Sequence, residues 1–347
     1  MNIYKKIFKI FPQSMAEDLF LRKDSADNSL TMYACEKDLN KRDVFSDKIF
    51  RESHRFLKAI ALATNFIDRR LARFQVGYLR QMAERNPLFN KNKELENKHQ
   101  GQRCFILGQG PSLAKQDLSP LADEITIATN TFWKHPVLSS DWQPTYYSAV
   151  HFETFYDKSS GRLGFENPDL ADILDYYKNA RTKIFKAKYI ISFSGWLANK
   201  KYNFFPAEQT FAYQVFPYPV FEFLPKWPDL AVGLPWAQDS SQYAIMLAMY
   251  LGCNPIILLG CDHDWFINLG EEKRFFSESA FKSGKKFDTS KTPMTENMWY
   301  AWVLWRGHEN LKRLAESRGV EIINATGGGV LDVYRIKRYE DLLQNKY

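Results

Sequence analysis

The 347-residue sequence contains only four cysteines, and none of them has the Cys-x-x-Cys spacing of a zinc knuckle or a redox motif. No apolar run approaches the ~18 residues that a membrane span needs, and no cleavable signal peptide is recognisable. With 17 glycines, 15 prolines and 16% aromatic residues, the chain fits neither collagen-like nor disordered classes. These absences favour a folded, soluble protein, and the scarcity of cysteine favours the reducing cytoplasm.

The positive charge is confined to one part of the chain. The formal charge is +7, and residues 1–100 account for all of it, with 20 Lys and Arg against 13 Asp and Glu. Lys5, Lys6 and Lys9 alternate with apolar residues at helical spacing, which predicts an amphipathic helix that contacts an anionic membrane surface or a partner protein. No nucleic-acid-binding motif accompanies the charge, so nucleic acid is not an expected partner.

The pattern of apolar residues divides the chain in two. Residues 1–97 are predicted to be a basic helical region, because apolar side chains recur at helical spacing over 46–85. The polar run 90–102 predicts an exposed connector. Residues 98–347 alternate short apolar strands with helices, which predicts an α/β domain with a doubly wound, mainly parallel sheet.

Within that domain the pattern predicts individual elements. Predicted strands cover 103–107, 125–129, 145–150, 183–187, 189–193, 255–259 and 320–323. Predicted helices cover 169–180, 239–251 and 295–317. The aromatic- and proline-rich segment 201–236 is predicted to be irregular, and the polar segment 267–294 to be a lid.

The most specific motif is the glycine turn after the first predicted strand, Gly108-Gln109-Gly110-Pro111-Ser112. Glycine has no Cβ, so backbone N–H groups of such a turn can approach an anion, with the Ser112 hydroxyl as a further donor. The turn lacks the third glycine of a dinucleotide fingerprint and the Gly-Lys of a phosphate-binding P-loop. It is therefore either an anion-binding turn of another kind or a tight turn without a ligand.

Polar residues also end the other predicted strands. Asn130 follows the second strand and could contact a base or ribose, or cap the next helix. Asp262, His263 and Asp264 follow the strand at 255–259, where they could form a site or only cap a turn. The loop Thr326-Gly327-Gly328 is a candidate second anion loop or a plain connector.

Four residues are candidate proton acceptors. An imidazole is suited to removing a proton from a hydroxyl at neutral pH, so three of the four candidates are histidines. The candidates are His308 on the helix at 295–317, His151 at the tip of the third strand, and the pair Asp262 and His263. No metal is expected, the weaker alternative being a divalent ion held by Asp262 and Asp264.

Taken together, these motifs resemble the Maf/MptE-like family. The resemblance covers about residues 98–330, in the glycine turn, Asn130, and the segments 144–147, 260–264 and 323–328. That family includes motility-associated transferases of nonulosonic acids and an archaeal 6-hydroxymethylpterin diphosphokinase. The pattern is also similar to that of small bacterial sialyltransferases, which bind CMP-activated sialic acid in a modified Rossmann domain.

The resemblance implies roles for particular residues. Donor nucleotide contacts fall on Gly108, Gln109, Gly110, Ser112, Asn130, Ser240 and Ser241. The sialyltransferase base is a histidine on the helix before the last strand, and counting back without gaps puts its equivalent near Val303 rather than at His308. The base therefore stays open among His308, His151, Asp262 and His263.

The resulting expectation is a Rossmann-like glycosyltransferase. It would move an acidic sugar, of the sialic, nonulosonic or Kdo-like kind, from a CMP-activated donor to a surface glycan or glycolipid, without a cofactor. One alternative is a pterin diphosphokinase that uses ATP and Mg²⁺ bound by Asp262 and Asp264. The other is a non-catalytic nucleotide-binding module of a membrane assembly.

Overall fold

The computed structural model describes residues 81, 85–149, 170–220, 227–267, 274–276 and 293–344. All of them belong to one compact unit, Ala72–Tyr347. The predicted amphipathic helix around Lys5, most of the helix expected over 46–85, and His151 lie outside the described residues. Among the residues described, no helix is long and apolar enough to cross a membrane.

The centre of the fold is a sheet of eight parallel strands. The strands are β1 Cys104–Leu107, β2 Ile125–Thr129, β3 Tyr146–Ala149, β4 Lys188–Ser192, β5 Thr210–Tyr213, β8 Ile256–Leu259, β9 Ile322–Asn324 and β10 Arg335–Ile336. Their order across the sheet is β10-β9-β8-β1-β2-β3-β4-β5. Strands β6 Val215–Pro219 and β7 Leu234–Trp236 form a separate parallel pair. The helices are α1 Pro87–Asn90, α2 Leu170–Lys183, α3 Phe193–Tyr202, α4 Ser240–Tyr250, α5 Met294–Glu316 and α6 Tyr339–Gln344.

Apolar side chains cover both faces of the sheet. In β1, Cys104 and Ile106 belong to the hydrophobic cluster that contains α4, while Phe105 and Leu107 belong to a second cluster with residues of α2 and α6. Alternate residues of a strand point to opposite faces, so β1 is buried on both. Helix α4 is buried from Ser241 to Tyr250, as expected for a helix that is apolar on most sides. The predicted α/β fold with a doubly wound parallel sheet is confirmed.

The strand order changes direction between β1 and β8. From β1 the chain adds β2 to β5 on one side of the sheet, and it later adds β8, β9 and β10 on the other side. In open α/β sheets, ligands bind at the carboxyl ends of the strands where the order reverses. The glycine turn after β1 and the Asp262-His263-Asp264 segment after β8 both lie at this point.

One predicted strand and one segment predicted to be irregular differ from the structure. The strand predicted at 183–187 is wrong, because α2 continues to Lys183 and the sheet strand begins only at Lys188. The segment 201–236, predicted to be irregular, contains the edge strand β5, whose four residues are all buried. A short apolar run near a helix end can belong to a helix or to a strand, and the sequence pattern does not distinguish the two. Thr210–Tyr213 is a strand because it pairs with β4.

The expected exposed connector at 90–102 is exposed at most of its positions, but two of its side chains are anchored in the fold. Asn92 and Leu95 are fully buried, and the Asn92 side-chain amide donates to the carbonyl oxygens of Ala212 and Leu230, both at 2.7 Å. In the sequence, a polar side chain that donates to buried carbonyl oxygens cannot be told from one that is exposed to solvent. The segment therefore holds the edge strand β5 to the neighbouring loop.

Replacing Asn92 with alanine should destabilise the domain. The change removes one donor from each of two buried carbonyl oxygens, which costs about 2–4 kcal/mol of unfolding free energy. Urea denaturation followed by tryptophan fluorescence measures it, with the exposed neighbour Lys93→Ala as a control expected to change stability by less than about 0.5 kcal/mol. Equal stability of the two variants would contradict the role assigned to Asn92.

Candidate active site

The ends of β1 and β8 are packed against each other without space for a side chain. A Cβ on Gly108 would lie 2.3 Å from the Gly260 carbonyl oxygen, and one on Gly110 would lie 1.8 Å from Asp262 Oδ2. The N–H groups of Gly108 and Gly110 donate to the carbonyl oxygens of Leu259 and Gly260, both at 2.8 Å. These two N–H groups are therefore engaged inside the protein, which corrects the expectation that they face an anion.

Asp262 occupies the position at the glycine turn where an external anion was expected. Its carboxylate accepts hydrogen bonds from the Ser112 hydroxyl (2.7 Å) and the Ser112 N–H (3.2 Å). Burial raises the pKa of Asp262, although both hydrogen bonds from Ser112 oppose that rise. Asp262 and Ser112, both predicted from the sequence to be site residues, are thus hydrogen-bonded to each other. Their contact joins the turn after β1 to the loop after β8.

The loop after β9 covers this junction. The Thr326 hydroxyl accepts from the Cys261 N–H at 3.1 Å, and the Val330 N–H donates to the Asp262 carbonyl oxygen at 2.8 Å. A Cβ on Gly328 would lie 3.5 Å from Asp262 Oδ1, whereas one on Gly327 would meet nothing closer than 3.8 Å. The structure thus brings the candidate second anion loop into contact with the first turn.

Gln109 lies on the side of the site that faces β2. Its side-chain oxygen accepts from the Thr131 hydroxyl and from the Arg274 guanidinium, and its carbonyl oxygen accepts from the Phe275 N–H at 3.0 Å. Asn130, at the end of β2, is buried and has a left-handed backbone with φ +42°. Part of the predicted lid, 274–276, therefore lies over the glycine turn and brings a cation to it.

On the other side of Asp262, four polar residues meet. Asp239 caps α4 by accepting from the Gln242 N–H at 3.1 Å, and it also accepts from the Ser241 hydroxyl at 2.8 Å. His263 Nε2 lies 3.8 Å from Asp239 Oδ2 and 3.4 Å from Ser241 Oγ. His308 Nε2 also lies 3.4 Å from Ser241 Oγ. We call Asp239, Ser241, His263 and His308 the histidine cluster.

A buried tyrosine sets the protonation of His308. The Tyr334 hydroxyl donates to the His308 carbonyl oxygen at 3.2 Å, so it accepts from His308 Nδ1 at 3.0 Å. This arrangement puts the imidazole proton on Nδ1 and leaves the Nε2 lone pair facing Ser241. Burial lowers the pKa of His308 to about 3, with the neighbouring His263 adding to the effect and Asp239 opposing it. His308 is thus a neutral imidazole at neutral pH.

Asp239 and His263 form the more accessible half of the cluster. Burial alone would raise the pKa of Asp239, but the two histidines, the Ser241 hydroxyl and the Gln242 N–H outweigh it and hold the pKa below its usual value. The side chain of His263 is 11% exposed and that of Asp239 is 26% exposed, whereas His308 is completely buried. His263 also has a left-handed backbone, with φ +53°, which a non-glycine residue adopts infrequently.

Sequence reasoning missed three residues of the site. Asp239 has a sequence signal, since an acidic residue before a helix is a typical cap, but the family resemblance implies roles only for Ser240 and Ser241 after it. Tyr334 and Arg274 have no motif of their own, and tertiary contacts bring them to His308 and Gln109. Asp264 is half-buried in the same loop as His263.

Substituting Gly108 with alanine should destabilise the fold strongly. The new Cβ would meet the Gly260 carbonyl, which the paired strands hold in place, so we expect a loss of about 3 kcal/mol of unfolding free energy. Gly327→Ala is the matched control, since its Cβ has open space, and it should change stability by less than about 0.5 kcal/mol. Chemical denaturation compares them, and a Gly108→Ala variant as stable as the control would disprove the packing argument.

Comparisons with known proteins identify no family for this chain. No family model and no curated protein matches it, so the resemblance to the MptE-like family is not confirmed. Similar solved structures include the sialyltransferase CstII from Campylobacter jejuni with cytidine-5'-monophosphate, at 15% identity and a TM-score of 0.39 over 68% of this chain and 85% of that one. Another is the sialyltransferase CST-II with a trisaccharide acceptor and CMP, at 14% identity and a TM-score of 0.40 over 71% of this chain and 89% of that one. At these values no residue role is transferred from them, and the roles argued below rest on this chain's own side chains.

Proposed function

We propose that this protein is a glycosyltransferase that transfers an acidic sugar from a CMP-activated donor to a hydroxyl of a glycan or glycolipid. The observation that carries the proposal is the pairing of His263 with Asp239 at the strand-order reversal of a parallel sheet. A partly exposed imidazole beside a carboxylate is suited to general base catalysis. The strand-order reversal is where such sheets bind nucleotides and other ligands.

The proposed reaction transfers one proton and one glycosyl group. The acceptor hydroxyl oxygen attacks the anomeric carbon of the donor sugar, and the bond from that carbon to the phosphate oxygen breaks. The electron pair leaves with CMP, and the hydroxyl proton goes to the imidazole of His263. Asp239, whose carboxylate lies 3.8 Å from His263 Nε2, stabilises the resulting imidazolium.

His308 acts in this proposal through its neighbours. It is completely buried and its pKa is lowered to about 3, so it is a poor acceptor for the proton of a bound hydroxyl. Its Nε2 contacts Ser241, whose hydroxyl donates to Asp239. We therefore assign His308 and Ser241 to positioning the carboxylate, and His263 to the proton transfer.

The donor nucleotide would lie on the β2 side of the cluster. Gln109 and Asn130 supply amide groups at the ends of β1 and β2, and amides can bond the edge of a base or the hydroxyls of a ribose. The Arg274 guanidinium, beside Gln109, suits the phosphate of CMP or the carboxylate of the sugar. The rings of Trp265 and Trp305, each 6.3 Å from His263, offer apolar surface to the sugar.

The diphosphokinase alternative receives less support from the geometry. It requires Asp262 and Asp264 together on a magnesium ion, but the Asp262 carboxylate accepts two hydrogen bonds from Ser112. A binding module without catalysis would need neither a partly exposed imidazole nor its carboxylate partner. The histidine cluster thus favours an enzyme.

The first test of the proposal is nucleotide binding. Isothermal titration of the full chain should detect CMP and CMP-N-acetylneuraminic acid, and binding of AMP or UMP should be at least about tenfold weaker because amide groups read the base edge. Asn130→Asp should weaken CMP binding by about tenfold, which amounts to ~1.4 kcal/mol. Absence of any cytidine nucleotide binding by the unaltered protein would refute the proposed donor.

The second test separates proton transfer from donor binding. His263→Gln should bind CMP as the unaltered protein does, yet release CMP from the donor roughly 10²–10⁴-fold more slowly, since the base is lost. His99→Gln is the matched control, because His99 contacts Tyr146 at the opposite, amino end of the sheet. Coupled detection of CMP release measures both, and an undiminished rate in His263→Gln would exclude this histidine as the base.

A further inference from the structure

The histidine cluster contains three groups that commonly bind transition metals. One ligand atom each from Asp239, His263 and His308 lies within 4.8 Å of the other two. Two imidazoles and a carboxylate are a donor set that suits zinc and related first-row ions. Such ions take three protein ligands and leave one position open in many catalytic sites.

The state of each donor fits metal binding. The Tyr334 hydroxyl accepts from His308 Nδ1, so the Nε2 lone pair of His308 points into the cluster. A hydrogen bond to the distal imidazole nitrogen is the usual support of a metal-bound histidine. On the opposite side, the Gln242 N–H donates to Asp239 Oδ1 at 3.1 Å, which holds this oxygen at the start of α4 while Oδ2 faces His263.

We propose that Asp239, His263 and His308 form a binding site for one divalent transition-metal ion of the zinc type. Tetrahedral zinc at about 2.0–2.1 Å from each ligand needs ligand atoms roughly 3.3 Å apart. The His263 Nε2 to Asp239 Oδ2 distance is already 3.8 Å. Both of those side chains are partly exposed and can move inward, while His308 is held from behind by Tyr334.

Within the histidine cluster, Ser241 is the residue whose hydrogen bonds must change when a metal ion binds. Its hydroxyl lies between the three donors, 2.8 Å from Asp239 Oδ1 and 3.4 Å from each imidazole Nε2. A rotation about its Cα–Cβ bond moves the hydroxyl away and opens the centre of the cluster. The metal then takes over the contacts that this hydroxyl makes.

The site has a consequence for catalysis that rests on the proposed function. A metal bound to His263 Nε2 also takes the Asp239 carboxylate, which would otherwise stabilise the imidazolium. The metal-bound protein would therefore be an inhibited state of the transferase, and removing the metal would restore activity. Zinc would then act as a reversible inhibitor through the residues that perform the reaction.

Cobalt titration tests the site independently of any sugar donor. Full-length protein without an affinity tag, freed of metal by a chelator, is titrated with Co²⁺ and followed by visible absorption. Four- or five-coordinate Co²⁺ absorbs far more strongly than the hydrated ion, so one equivalent per chain should give an intense band. Zn²⁺, which has a filled d shell, should displace the cobalt and abolish the band.

Two substitutions locate the ion. Asp239→Asn and His263→Gln change partly exposed groups. Loss of a hydrogen bond that supports a ligand already weakens metal binding by about 10–100-fold. Loss of a ligand itself should therefore weaken Co²⁺ binding by at least as much. His99→Gln removes an imidazole outside the cluster and should leave the affinity unchanged. Circular dichroism confirms that each variant is folded before titration.

The outcomes distinguish this proposal from the proposed function. No intense band, or a band that persists equally in Asp239→Asn and His263→Gln, would overturn the metal site while leaving CMP binding untouched. A stoichiometric band that both variants lose would establish the site even if no cytidine nucleotide binds. Inhibition of CMP release by zinc, reversed by chelation, is measured separately on the active enzyme.

Discussion

The rest of the site depends on the close approach of the β1 and β8 ends. There is no space for a Cβ at Gly108 or Gly110, because the Gly260 carbonyl and the Asp262 carboxylate lie against them. This contact aligns two strands that are far apart in sequence, and Ser112 closes it by donating twice to Asp262. His263 follows Asp262 directly, so the same contact determines where its imidazole lies.

A second constraint comes from the start of α4. Asp239 caps this buried helix and also faces both histidines, so one carboxylate serves helix stability and the electrostatics of the cluster. His308 reaches the same point from α5, held by Tyr334. The cluster is therefore assembled from separate elements, and each of its members is positioned by contacts that also stabilise the fold. Such support is what a proton-transfer or metal site needs, because small displacements of its groups lower its efficiency.

Much of the sheet was predictable because its strands are short apolar runs bounded by glycine or polar residues. The predictions for β1, β2 and β8 lie within one residue of the strands at Cys104–Leu107, Ile125–Thr129 and Ile256–Leu259. Prediction failed where local pattern and tertiary contact disagree, as at Thr210–Tyr213, where pairing with β4 makes a strand. It failed again at Asn92, whose polar amide is buried because two carbonyl oxygens need a donor.

By itself, the sequence determined the class of fold and the edge of the sheet at which polar groups gather, since both follow from apolar periodicity and from residues that directly follow strands. Only the tertiary structure decided which of those groups are engaged with each other. Gly110, Ser112 and Asp262 looked like site residues, and packing turns them toward one another. The sequence marks Asp239 only as a helix cap, yet at the start of α4 it meets His263 from the loop after β8 and His308 from α5. The physical reason is that hydrogen bonds and burial depend on distances between residues far apart in the chain, which local pattern does not encode.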